Sequence, residues 1–83
     1  MAQITVSIRN DIDANYVVHV YDQFGNANRE VLGSPFPLAY GETSPLFAIN
    51  ADGDGNAYIT YNCEGGPTLS DVYAADGDTV SIS

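Results

Sequence analysis

The 83-residue chain has no lysine, no tryptophan and a single cysteine. Its only basic side chains besides His19 are Arg9 and Arg29, set against eleven Asp and Glu for a net charge of −9. A phosphate backbone is bound by clustered Lys and Arg that displace its counterions, so this balance argues against nucleic acid as a partner. The same field argues against docking on an anionic membrane surface. With Cys63 alone, no intramolecular disulfide can form. No apolar run approaches the ~20 residues of a membrane-spanning helix. The strand pattern begins at Gln3 and leaves no room for a secretory leader. The expected setting is therefore a cytoplasm or virion, or the chain is a mature secreted form.

Charged residues make up only 16% of the chain and hydrophobic residues 45%. That is enough apolar material for a core, within a length that allows one domain. Helical periodicity is missing too: apolar residues never recur at three-and-four spacing for ten residues, and Gly and Pro are scattered throughout.

What is present is alternation. In QITVSIR (3–9), Ile4, Val6 and Ile8 face one way and Gln3, Thr5, Ser7 and Arg9 the other, the pattern of a half-buried strand. NDIDAN (10–15) is turn chemistry, YVVHVYD (16–22) a second strand, and DQFGNAN (22–28) another break. The stretch 29–44 is the least regular; Pro35, Pro37 and Pro45 remove ladder donors there, which suits edge strands or bulged connections. PLFAIN (45–50) and AYITYNC (57–63) flank ADGDGN as a hairpin. CEGGPT turns into LSDVYA (69–74), and ADGDT turns into TVSIS (79–83). Residues 1–83 thus read as one all-β domain, a small antiparallel sandwich or flattened barrel of about six to eight short strands. The expected core is Ile4, Val6, Ile8, Val18, Val20, Phe47, Ile49, Ile59, Val72, Val80 and Ile82.

The order ITVSIRN, a valine-rich second strand, Gly41-Glu42, and ADGDGN before a Tyr-rich strand resembles, in pattern, the small secreted sandwiches of the thaumatin-like and aegerolysin kinds. Thaumatin-like proteins are rich in disulfides and this chain has one cysteine, so no residue role is carried over.

Four features bear on chemistry. His19 lies mid-strand; if Val18 and Val20 face the core, it shares the other face with Val17 and Tyr21, and no nearby nucleophile is implied. Cys63 adjoins Glu64 in a chain without lysine, a field that opposes a reactive thiolate and suits a buried thiol. Six tyrosines invite stacking on a sugar ring or a protein partner, with Tyr58, Tyr61 and Tyr73 as the candidate contacts. Asp52-Gly53-Asp54-Gly55-Asn56 spaces oxygen side chains as acidic Ca²⁺ loops do, though it departs from an EF-hand at its sixth and twelfth positions, Ala57 and Cys63. A Ca²⁺ site would join Asp52, Asp54 and Asn56 to Asp76 and Asp78 of the second Asp-Gly-Asp turn; the same residues also make plain hairpin turns.

In an alternating chain, loops 51–56 and 75–78 share one end. Loop 10–15 joins them if stretch 29–44 contributes an even number of strands, which would gather six aspartates at one pole. The reading that follows is a non-enzymatic binding or assembly module acting through protein–protein contacts, with copies of itself as the expected partner. The alternative is a calcium-assisted, lectin-like carbohydrate-binding domain.

Overall fold

Alternation of apolar and polar residues produces strands wherever it was expected, and the computed structural model, which describes residues 2–83, contains eight of them in two packed sheets. β1 (Ala2–Asn10) pairs antiparallel with β5 (Phe47–Ala51) and parallel with β8 (Thr79–Ile82). The second sheet is built on β2 (Tyr16–Asp22), which pairs with β6 (Ala57–Cys63), β3 (Arg29–Glu30) and β4 (Phe36–Leu38); β7 (Thr68–Ala74) closes the far edge on β6. A short 3-10 turn, Phe24–Asn26, follows β2. No helix among the described residues is long and apolar enough to cross a membrane.

The direction of the chain decides which loops meet. β3 and β4 both run against β2, so stretch 29–44 makes one traverse in two pieces. The chain then crosses the sandwich an odd number of times, and its first and last strands run the same way. This explains the parallel pairing of β1 with β8, and it corrects the expected six-aspartate pole. Connections 23–28, 52–56 and 75–78 share one end, carrying Asp52, Asp54, Asp76 and Asp78, whereas Asp11 and Asp13 lie at the opposite end with the β6–β7 turn.

The core lies between the sheets. Ten of the eleven expected core residues are buried; Val72 is only partly buried and packs against the core from β7. The irregular stretch adds Val31, Phe36 and Leu38, and the Phe36 ring stacks on Phe47 across the sheets with centroids 5.5 Å apart. Two glycines are set by geometry. Gly55 takes φ +81° in the β5–β6 turn, where its N–H donates to the Asp52 carbonyl. A Cβ on Gly66 would sit 2.4 Å from the Tyr16 ring, so the β6–β7 turn closes there only on glycine.

Candidate functional site

The two Asp-Gly-Asp turns lie at one end of the sandwich, and three of their four carboxylates, those of Asp52, Asp76 and Asp78, accept hydrogen bonds from the backbone. Asp52 Oδ1 accepts from the N–H groups of Asp54 and Asn56 at 2.9 and 3.0 Å. Asp76 Oδ1 accepts from Thr5 N–H at 3.0 Å, and Asp78 Oδ2 from Ala75 N–H at 2.9 Å. Among the described residues no three His, Cys, Asp or Glu side chains converge as a metal ion would need. The tyrosine hydroxyl of Tyr73 donates to Asn56 Oδ1 at 2.7 Å, tying β7 to the first turn.

Of the three candidate tyrosines, Tyr58 and Tyr73 face solvent directly opposite each other on β6 and β7, their rings edge to face at 5.8 Å. Tyr61 is corrected: it is 2% exposed, in the core, and offers no surface for a ligand. Its parity places it there, since Ala57, Ile59, Tyr61 and Cys63 all point inward on β6. Cys63 is buried beside it, and burial pushes its thiol pKa up, as for an inert structural cysteine.

Beside Tyr58 lies a cleft of about 390 Å³, within the usual range for small-ligand sites. Gln23, Phe24 and Asn26 reach it from the β2–β3 connection, Asn50 and Asp52 from the end of β5, Asn56 and Tyr58 from the start of β6, and Asp71 from β7. Its polar walls are cross-braced. Asp71, at φ +59° in a β-bulge opposite β6, receives Gln23 Nε2 on its Oδ1 at 2.9 Å and returns its own N–H to Gln23 Oε1 at 2.7 Å. Behind the cleft, Asp22 Oδ2 accepts from the N–H and Nδ2 of Asn50 at 2.9 and 3.1 Å, while its Oδ1 accepts from Phe24 N–H at 3.0 Å. No single stretch of sequence announces this site, because its walls come from four separate strands and turns.

A second depression, about 430 Å³, is apolar. Leu32, Pro35, Phe36, Pro37, Pro45 and Leu46 line it, and Glu42 is the one charged residue among its walls. Leu32 is 93% exposed and Leu46 69%.

His19 occupies the outer face of the larger sheet between two carboxylates, Glu30 Oε2 at 2.9 Å from Nδ1 and Glu64 Oε2 at 2.5 Å from Nε2. Glu30 also accepts from Ser34 Oγ at 2.7 Å, and Ser34 Oγ in turn accepts from Val20 N–H. Glu64 and Glu30 together raise the His19 pKa, and Ser34 and His19 lower that of Glu30. A raised histidine contributes stability that is complete below its ordinary value of about 6.5 and fades as pH climbs through the raised one. The lowered Glu30 contributes above its ordinary value and loses that contribution on acidification. The clasp should therefore contribute most between about pH 5 and 6.5. His19→Gln is expected to lower the melting temperature more at about pH 5.5 than at about pH 9. An equal deficit at both would show that the imidazolium is not what the carboxylates hold.

Comparison with protein-family models, with curated proteins and with solved structures gives no match to this chain.

Proposed function

We propose that the protein is a non-enzymatic assembly module that associates with copies of itself through the apolar surface around Leu32 and Leu46. The observation that carries this reading is the exposure of those two leucines beside a proline-lined depression with one charged wall residue. Exposed apolar surface of this kind marks contact sites. On a chain of net charge −9, it is also where two copies meet with least repulsion.

Pairing through sheet edges is less favoured by the backbone. β7 carries the Asp71 bulge, the outward N–H of Asn50 on β5 is taken by Asp22, and Pro35 and Pro37 flank and interrupt the β4 edge. The non-enzymatic part of the reading is supported by the state of the two usual candidates among the described residues: Cys63 is buried, and both ring nitrogens of His19 face carboxylates.

Sedimentation velocity tests the proposal. The wild-type chain is expected to form a defined oligomer that persists in high salt, since salt screens the repulsion between like-charged subunits. Leu32→Glu should weaken it by roughly tenfold or more, because a carboxylate would be carried into a desolvated contact. A wild-type protein that stays monomeric at every concentration overturns the proposal, as does an oligomer indifferent to Leu32→Glu.

A second reading, carbohydrate binding, is favoured by the cleft beside Tyr58, where amide and carboxylate side chains surround two exposed aromatic rings. Such a mixture suits a ligand with hydroxyl groups on its rim and an apolar ring face.

A further inference from the structure

We infer that the cleft between Phe24, Asn50, Tyr58 and Asp71 takes a neutral sugar and does so without calcium. This rests on the carbohydrate reading above and narrows it to a ligand class and a set of contacting atoms.

Four polar side chains of the cleft are each fixed by one atom and free at the other, whereas Gln23 is bonded at both. Asn56 accepts the Tyr73 hydroxyl on Oδ1, which leaves Nδ2 as a donor. Asn50 is anchored through Nδ2 to Asp22, which leaves Oδ1 as an acceptor. Asp52 and Asp71 are each held through Oδ1, by backbone amides and by Gln23, which leaves both Oδ2 atoms as acceptors. Groups held in this way lose little freedom when a ligand arrives. Acceptors outnumber donors, so the fitting ligand donates hydrogen bonds. Sugar hydroxyls do this, and a hydroxyl donating to a carboxylate makes a strong charge-assisted bond.

The aromatic walls supply the other half of recognition. Phe24 and Tyr58 are both partly exposed, and Tyr58 is steadied by its edge-to-face contact with Tyr73. A neighbouring depression of about 330 Å³ shares Phe24, Gly25 and Asn50 with the cleft, and it adds Asp22, Ala27 and Arg29. Phe24 thus stands between two adjoining hollows, an arrangement that accepts more than one ring of an oligosaccharide.

The charge of the site sets the selectivity. The cleft is lined by Asp52 and Asp71 and by no cationic side chain. Sulfated or uronic sugars would bring a like charge against both carboxylates. The contacts proposed here use no calcium: Asp52 Oδ1 holds the N–H groups of Asp54 and Asn56, Asp71 Oδ1 holds Gln23 Nε2, and among the described residues no three His, Cys, Asp or Glu side chains converge.

Amide chemical-shift mapping tests this with cellobiose, maltose, lactose and di-N-acetylchitobiose, each at about 20 mM so that a weak site of ~1 mM Kd is still filled. At least one is expected to shift resonances of residues 23–26, 50–58 and 71 while leaving the Leu32–Leu46 surface unmoved, and EDTA should change nothing. Tyr58→Ala should weaken binding roughly tenfold. Tyr40→Ala, at a remote exposed tyrosine, should leave it unchanged. Equal binding of a digalacturonate, or loss of binding in EDTA, overturns the neutral, calcium-free assignment and leaves the carbohydrate reading standing. Spermidine shifting these resonances where no sugar does, or no response to any sugar, overturns both.

Discussion

Val6→Asp is expected to leave the chain unfolded at room temperature. Val6 is wholly buried at the middle of β1, opposite Phe47 of β5, and β1 is the central strand of its sheet. An aspartate there puts a carboxylate among aliphatic side chains with no cation in reach, at a cost of several kcal/mol or an equivalent forced protonation. A domain of this size buries only about 60% of its unfolded surface and has a margin of roughly 5–15 kcal/mol, so one such charge removes most or all of it. Val6→Ala supplies the graded control: it removes two methyl groups without adding charge and should cost about 2 kcal/mol while the fold survives. Far-ultraviolet circular dichroism and a thermal melt distinguish the cases. A cooperative transition for Val6→Asp near that of the wild type would contradict the placement of β1 at the centre.

The strands that could be read in advance are those whose two faces differ. β1, β6 and β8 alternate apolar and polar residues, and their inward sets are buried, with Ser7 of β1 buried on the polar face as well. Stretch 29–44 was opaque because its buried residues, Val31, Phe36 and Leu38, are separated by Gly33, Pro35 and Pro37, which break periodicity without preventing burial. Tyr61 was legible but misjudged. Its parity with Ile59 and Cys63 points inward, and that parity places the ring in the core despite its polar hydroxyl. The direction of β8 depended on whether β3 and β4 count as one traverse or two, a fact of pairing that local pattern does not contain. Contacts made across long stretches of chain were likewise hidden. His19 meets Glu30 eleven positions away and Glu64 forty-five positions away, and Gln23 meets Asp71 across forty-eight. The oxygen spacing of the Asp-Gly-Asp turns is visible in the sequence, whereas the backbone N–H groups that Asp52, Asp76 and Asp78 satisfy are visible only in the fold.

Asp22→Ala should be the most damaging change to a surface-proximal polar residue. Asp22 ends β2 in one sheet, and its carboxylate accepts three hydrogen bonds, two of them from Asn50 on β5 of the other. It is therefore a polar rivet between layers that adhere mainly by apolar packing, as is Asn10 of β1, whose Nδ2 donates to the Leu38 carbonyl of β4 at 3.1 Å. Alanine leaves the N–H groups of Asn50 and Phe24 without this acceptor in a largely water-excluded spot, and bonds to a charged acceptor contribute about 1.5–3 kcal/mol each. Partial rehydration of the two amides offsets some of this, so a net loss of about 2–4 kcal/mol is expected. For a chain of this length that corresponds to a fall in melting temperature of roughly 10–25 °C. Asp22→Asn should also destabilise, because one carboxylate oxygen becomes an NH₂ that faces donors on either side. Asn50→Ala, by contrast, removes only the side-chain donor and keeps the backbone bond to Asp22, at about 1 kcal/mol. The ordering Asp22→Ala above Asn50→Ala is the diagnostic result in paired urea melts. If the two cost the same, the backbone bonds at Asn50 and Phe24 contribute nothing beyond the Asn50 side-chain bond. The cleft proposed to take a sugar gives an independent readout, since Phe24 and Asn50 are positioned by the same carboxylate: on that proposal Asp22→Ala should weaken sugar binding even at temperatures where the variant remains folded.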